Sequence, residues 1–305
     1  MQALRHHEGM TDEKAPGQVV AVWLSSLFMG APELPTTNAE DRQYEVAKKW
    51  QRLGKYAVFV DVKGVIAGQP HGRIAEVVSR MASAGEQLML AAACVRDGRR
   101  SEADWADDLG PQVGARALFE MTNYYLLSAA HGLANVTLRV LLLAPGARDL
   151  LEKSHEDVQF EPFSADRQAW ISLNRDEMKK MRKGVADGPP ELAALVQVLT
   201  DLLGTAAWSD LNGRRGVDFH RHRPQSIDGG APVTNQWKRG DDGQTMVLSI
   251  GGVSDFQPLE VTVLQAESVK AAAVLTAAMA TWLEALPPAF QATIGDPVFR
   301  ERTEK

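Results

Sequence analysis

The feature that most limits how this chain can fold is its longest apolar segment, residues 112–144. Apolar residues recur along it at helical spacing and end in a continuous run at 140–143. His131, Asn135 and Arg139 interrupt the segment, so we do not expect it to span a membrane. A helix of this length and composition needs apolar partners along most of its surface, which predicts the central helix of a bundle.

Apolar residues at helical spacing predict further helices over residues 73–96, 190–206 and 266–286, and the capping residues Asn38 and Ser164 predict helices over 39–53 and 164–183. Gly98 is expected to end the helix over 73–96. The pair Pro287–Pro288 is expected to end the helix over 266–286, because proline cannot continue the hydrogen-bond ladder of a helix. The pattern indicates a mainly α fold, a helical bundle.

A small β element is expected just before the last helix. Residues 233–238 and 245–250 are β-prone, and the turn-forming stretch 239–243 separates them, which predicts a β-hairpin. A third strand is expected at 259–264. Together they form a β insertion over about residues 228–264.

The rest of the organisation follows from composition. An apolar run at 19–29 predicts a buried strand or packing arm, within an N-terminal arm and linker at 1–38 that precedes a helical-bundle domain at 39–305. The chain has 45% hydrophobic residues, a formal net charge of -6 and one cysteine, Cys94. A single cysteine excludes an intramolecular disulfide and fits a reducing compartment, so we expect a cytoplasmic protein that does not bind membranes.

Side chains that can bind phosphate or exchange a proton are concentrated in residues 213–226, GRRGVDFHRHRPQS. Against the acidic chain as a whole, this window has a local charge of +3, from one aspartate, Asp218, and four arginines, Arg214, Arg215, Arg221 and Arg223. Arginine binds phosphate oxygens through two parallel hydrogen bonds, and the histidines, His220 and His222, can exchange a proton near neutral pH. The window therefore favours a phosphate-bearing ligand, and we expect Arg214, Arg221, Arg223 and His222 to contact it.

Arg215, four intervening residues and His220 form an R-x4-6-H motif, which resembles the HEPN family of compact helical bundles. Members of that family are often metal-independent ribonucleases or nucleotide-binding modules. The resemblance implies that Arg215 holds the scissile phosphate of RNA, and that His220 acts in acid–base chemistry or orients the attacking 2′-hydroxyl. Arg214 is the alternative motif arginine. The family usually has a polar residue after the arginine, and here Gly216 follows Arg215.

The same resemblance implies a homodimer, because relatives commonly bring two motifs close together, and it implies no cofactor. Motifs for other enzyme classes are missing from the sequence, which contains neither a phosphate-binding P-loop nor a GxGxxG or GxSxG pattern.

Three alternatives stay open at this stage. If the window is extended, Asp218, His220 and His222 lie on one face and can form a metal triad. The arginines can instead be structural, in a non-catalytic helical module that binds a phosphorylated ligand or a partner protein. Finally, a polar stripe runs along the central helix and contains Glu120, Asn123, His131 and Asn135. In one interpretation the stripe faces solvent or forms an internal hydrogen-bond network. In the other it lines the same cleft as the motif.

Overall fold

The structure, a computed structural model, describes residues 21–23, 39–52, 56–58, 71–103, 109–164, 167–220, 237–239, 246–248, 261–294 and 298–301. In chain order their elements are β1 (Ala21–Trp23), α1 (Ala39–Arg52), β2 (Tyr56–Val58), α2 (His71–Ala103), α3 (Leu109–Leu141), α4 (Pro145–Ser154), α5 (Arg175–Val185), α6 (Pro190–Leu203), α7 (Ala206–His220), β3 (Trp237–Arg239), β4 (Met246–Leu248), α8 (Val261–Thr293) and β5 (Val298–Glu301). The described part is mainly helical, as the sequence predicts.

The two long helices α2 and α3 pack along each other as an antiparallel pair. Gly98 near the end of α2 lies against Phe119 near the start of α3, and Glu76 near the start of α2 binds Arg139 near the end of α3. A Cβ at Gly98 would lie 2.9 Å from the Phe119 ring. The expectation that Gly98 ends α2 is wrong, because this glycine makes room for a helix contact and α2 continues to Ala103.

The last helix, α8, is the second organising element and packs against α1, α2, α3, α6 and α7. Two buried indoles join it to its neighbours, with the ring centroids of Trp50 and Trp282 5.0 Å apart. Trp50 Nε1 donates to the Met279 carbonyl at 3.2 Å, and Trp282 Nε1 donates to Thr137 Oγ1 at 2.9 Å. Each ring therefore buries its apolar area and still satisfies its N–H group.

Both ends of α8 differ from the prediction. The third strand expected at 259–264 is wrong, because the helix already begins at Val261 and buries Leu264, at helical spacing, against the start of α3. The expected end at Pro287–Pro288 is also wrong, since α8 continues to Thr293. Phe290 is buried in the core beyond the prolines, and its packing offsets the backbone hydrogen bonds that the prolines remove.

Residues 155–174, which we call the crossing segment, connect α4 to α5. Ser164 does not cap a helix; apart from a short 3-10 turn at Arg167–Ala169, the described residues of this segment are not helical. The helix α5 begins only at Arg175, where the side chain of Asn174 accepts a hydrogen bond from the Glu177 amide at 2.9 Å. An asparagine in this position satisfies one of the free amides of the first helical turn.

The helices α6 and α7 are separated by a sharp bend of 68°. The chain turns at Gly204, and the hydroxyl of Thr205 then accepts a hydrogen bond from the Trp208 amide at 3.2 Å, which caps the new helix. The basic window begins inside α7, since residues 213–220 continue this helix.

The short strands form two sheets. In the first, β5 lies between β1 and β2 and is antiparallel to both, with Ala21 and Ala57 both opposite Arg300. The described end of the chain thus pairs with two segments near its beginning. In the second, β3 pairs antiparallel with β4.

By length and composition α8 is able to cross a membrane, and the bent pair α6–α7 passes the same test if it is counted as one span. Half of the most apolar stretch of α8 is buried inside the protein. The core helix of a soluble protein passes the same test.

The contact between α1 and α2 gives a direct test of the packing. A Cβ at Gly85 would lie 2.6 Å from Trp50 Cβ and 2.8 Å from the Ala47 carbonyl oxygen, which is backbone and cannot rotate away. We expect Gly85→Ala to lower the free energy of unfolding by about 1–3 kcal/mol, because the two helices must separate. Gly213→Ala in α7 is the matched control, since nothing lies within 4 Å of the added Cβ.

Alanine is the better helix former by about 0.5–1 kcal/mol, so the control should be neutral or stabilising. Urea denaturation of both variants measures the difference. A Gly85→Ala protein as stable as the parent would contradict the close packing of these helices.

Candidate functional site

The candidate site lies at the C-terminal end of α7, where this helix packs against α8. The side chain of Arg214 forms an ion pair with Glu267 of α8, and both groups are partly exposed. Next to Glu267, Ser268 donates a hydrogen bond to Asn123 Oδ1 of α3 at 2.8 Å. The end of α7 is therefore held against two long helices, and Arg214 has a structural partner.

The structure places only some of the predicted ligand-binding residues. Arg215 and His220 lie on α7, whose backbone is described there, whereas their side chains are outside the described part of the chain. Arg221, His222 and Arg223 also lie outside the described residues.

The helical backbone has a consequence for the R-x4-6-H motif. Positions 215 and 220 are five residues apart, and at about 100° per residue they lie about 140° apart around the axis of α7. Only positions three or four apart lie on one face of a helix, so positions 215 and 220 do not share a face.

The metal alternative depended on an extended segment. Asp218 and His220 instead lie on a helix, two residues and about 200° apart, so their positions do not share a face. Among the described residues, no three histidine, cysteine or acidic side chains form a potential metal site.

Burial, with a smaller effect of Asp97, raises the pKa of Cys94, which disfavours the reactive thiolate.

The polar residues along α3 form an internal network. Asn135 binds both polar groups of the Ile171 backbone, accepting from its amide at 3.1 Å and donating to its carbonyl at 2.7 Å. His131 Nδ1 accepts from the Leu173 amide at 2.9 Å. With the bond from Ser268 to Asn123, these contacts show that three residues of the stripe form internal hydrogen bonds, whereas Glu120 pairs with Arg116 on the same helix at 2.9 Å.

A second polar group was missed by sequence reasoning. Glu76 is fully buried on α2, and its Oε1 accepts hydrogen bonds from Arg139 Nε at 3.0 Å and from Arg80 Nε at 2.8 Å. Arg139, 2% exposed, also donates to the Ala169 carbonyl at 2.7 Å, and Arg73 donates to the Phe160 carbonyl at 2.7 Å. We call Arg73, Arg80, Arg139 and Glu76 the arginine cluster.

The arginine cluster contains three guanidinium groups and one carboxylate, that of Glu76, which accepts hydrogen bonds from Arg80 and Arg139. Burial lowers the pKa of Arg139, which Glu76 partly offsets, and burial likewise lowers the pKa of Arg73. Within the part of the chain that is described, one guanidinium nitrogen of each arginine and Oε2 of Glu76 are buried with no hydrogen-bond partner. The cluster therefore has an excess of positive charge and unused donors.

The crossing segment is also fixed at its beginning. Both ring nitrogens of His155 lie 2.7 Å from acceptors, Nδ1 from the Leu151 carbonyl and Nε2 from Glu177 Oε2. These two contacts fix the orientation of the ring between α4 and α5. The next two residues, Glu156 and Asp157, have positive φ angles of 60° and 61°, which the surrounding contacts must enforce.

Comparisons of the chain with protein-family models, with curated proteins and with solved structures find no match.

The pair between His155 and Glu177 gives a prediction about pH. Burial alone would raise the pKa of Glu177, but hydrogen bonds from His155 and Lys180 outweigh it and hold this pKa below its ordinary value of 4.5. The carboxylate therefore adds stability above the unfolded-state pKa, and that stability is lost as the pH falls through the lowered value. We expect Glu177→Gln to be less stable than the parent at neutral pH, with the difference shrinking in acid.

Denaturation of the two proteins across the acidic range measures this difference. Glu86→Gln, at an exposed position on α2, is the control and should follow the parent throughout. A Glu177→Gln protein whose loss of stability is the same at every pH would show that the charge of this carboxylate is not what stabilises the segment.

Proposed function

We propose that this chain acts on RNA at the C-terminal end of α7, as an HEPN-like, metal-independent endoribonuclease. Arg215 binds the scissile phosphate, and His220 supplies the acid–base group. The observation that carries the proposal is the ion pair between Arg214 and Glu267, because it gives the first of the two adjacent arginines a structural role. Position 215 lies about 100° further around the helix, away from that contact, and is the motif arginine.

The chemistry of the window supports a phosphate ligand. Arg221, His222 and Arg223 follow α7 in sequence and add further groups that can bind phosphate. Attack of a ribose 2′-hydroxyl on the adjacent phosphate requires a base for its proton and a cation for the developing charge, and needs no metal. In this proposal the β element between α7 and α8 covers this surface.

A second copy of the chain completes the site. On one regular helix, positions 215 and 220 point about 140° apart, so a single copy does not offer both to one phosphate. Two copies that pack α7 against α7 bring the arginine of one to the histidine of the other. We therefore propose a homodimer, located in the cytoplasm, where the single Cys94 stays reduced.

The proposal is tested by cleavage of single-stranded RNA in the presence of a chelator. Arg215→Ala should lose RNA affinity and cleavage with almost no change in melting temperature, because a phosphate-binding arginine makes few contacts with the fold. His220→Ala should lower the cleavage rate by roughly 100-fold or more while RNA still binds. Arg214→Ala is the matched control: it should cleave like the parent and lose about 1 kcal/mol of stability, as expected for a partly exposed ion pair.

Other outcomes would select the alternatives. Loss of cleavage with chelator and recovery with zinc would favour the metal site of Asp218, His220 and His222. A strongly destabilised Arg215→Ala protein that binds RNA like the parent would favour a non-catalytic helical module, in which the arginines are structural and the ligand is a phosphorylated molecule or a partner protein. A solution mass that stays at the 33.3 kDa of one chain would contradict the homodimer.

A further inference from the structure

The N-terminal half of α3 carries an exposed stripe, although the other half of this helix is almost entirely buried. Gly114, Ala117, Met121 and Tyr124 are exposed, and Ser128 is half-buried. Met121 is 42% exposed and Tyr124 is 48% exposed. The five positions recur at alternating steps of three and four, the spacing of residues that pack one helix against another. We call these five residues the α3 seam; none of them carries a charge.

The same side of α3 is used for packing further along the helix. His131, Asn135 and Arg139 continue the row of the α3 seam, and each binds the backbone of the crossing segment. At 100° per residue, these three positions and the five of the seam share an arc of about 100° around the axis. The α3 seam is therefore the N-terminal half of a packing face whose C-terminal half the crossing segment occupies.

The surroundings of the α3 seam add apolar surface and little free charge. On one flank Arg116 donates to Glu120 at 2.9 Å, so the two charges there are paired within one copy of the chain. On the other flank Leu90 of α2 is 37% exposed, and it lies between the two contacts that Ala84 and Gly98 make with α3. An exposed apolar surface without unpaired charge is typical of a site for another protein surface.

The α3 seam is complementary to itself. When two seams are antiparallel and aligned at Met121, Gly114 faces Ser128 and Ala117 faces Tyr124, so that a small residue lies opposite a larger one. A twofold axis at Met121 produces each of these contacts twice. We infer that a second copy of the chain packs here, and that the α3 seam is the interface of the homodimer.

This inference rests on the proposed function, in which a second copy completes the site. Asn123, two residues from Met121, binds Ser268, which is next to the partner of Arg214 in its ion pair. In an antiparallel pair, a group beside one helix lies on the same side of the pair as its copy beside the other helix. The two α7 ends therefore come to one side of the dimer, near the axis.

The size of the α3 seam agrees with a contact that includes the α7 ends. Residues 114–128 span about 21 Å of helix, and with the adjoining surface of α2 the patch is about 20 Å wide, or about 400 Å². A stable interface buries about 800 Å² on each partner. The α3 seam supplies about half of that area, and packing of α7 against α7 is needed for the rest.

Light scattering tests the interface. The parent should have twice the 33.3 kDa mass of one chain. Met121→Glu should have the mass of one chain and keep the helical circular dichroism of the parent, because like charges would meet at the axis while the side chain is exposed in a single copy. Tyr44→Glu on α1 is the matched control, at a residue of similar exposure (47%), and should stay a dimer.

A charge exchange tests the alignment at Met121. Met121→Glu and Met121→Lys should each have the mass of one chain, and an equal mixture of the two should form dimers, because opposite charges then meet at the axis. A Met121→Glu protein that stays a dimer, or a mixture that stays at the mass of one chain, would overturn the α3 seam as the interface.

Cleavage by mixed copies separates this inference from the proposed function. Arg215→Ala and His220→Ala, each nearly inactive alone, should together recover about a quarter of the parental cleavage, since half of the randomly paired dimers are mixed and each of these keeps one complete site of two.

Each result of the mixing experiment decides one of the two claims. If Met121→Glu loses the dimer and neither the mixture nor the parent cleaves RNA, the interface stands and the proposed function is wrong. If the mixture cleaves while Met121→Glu is still a dimer, the shared site stands and the α3 seam is wrong. A parent protein with the mass of one chain would overturn both the interface and the shared site.

Discussion

The buried pair of Glu76 and Arg139 is the interaction on which much of this fold depends. It joins α2 to α3 and, through the second hydrogen bond of Arg139 to the Ala169 carbonyl, joins both helices to the crossing segment. Taking two charges out of water costs free energy that is recovered only if the geometry is good and the remaining donors are used. Such a pair stabilises little compared with an apolar replacement, but it fixes which backbone atoms lie where.

Hydrogen bonds from side chains to the backbone of the crossing segment continue along the polar side of α3. Arg139, Asn135 and His131 contact the backbone of residues 169, 171 and 173 in turn, so the side chains of a helix take the place of a neighbouring strand. Buried backbone groups need partners, and this arrangement supplies them for a segment with little secondary structure of its own. The result is a segment whose backbone is bound to α3 and whose side chains are alternately buried and exposed over residues 169–173.

Periodicity in the sequence predicted the long helices; it did not predict α7 as a separate helix or where the helices end. The apolar stripes of α1, α2 and α3 reflect burial directly, whereas Gly98 and Pro287 usually end helices and here do not. Contacts with Phe119 and burial of Phe290 decide those two positions, and both effects depend on residues that are distant in sequence or beyond the expected end. Local propensity is overridden where tertiary packing is extensive.

In the candidate site, too, local features could be predicted from the sequence and contacts between elements could not. The basic window could be found from its charge alone, whereas the helix α7 on which it begins was not predicted. The pairing of Arg214 with Glu267 and the stacking of Arg80 on Trp170 could not be found, because each joins residues of different elements. Only the spacing of Glu76 and Arg80, one helical turn apart, gave a local indication of the arginine cluster.

The proposal that RNA binds at the C-terminal end of α7 is tested most directly by ultraviolet crosslinking of single-stranded RNA to the protein, followed by mass spectrometry of the crosslinked peptides. The account predicts crosslinks concentrated in residues 214–223. Crosslinks confined to the exposed basic residues of α5, such as Lys179 and Arg182, or spread evenly over the surface, would contradict it.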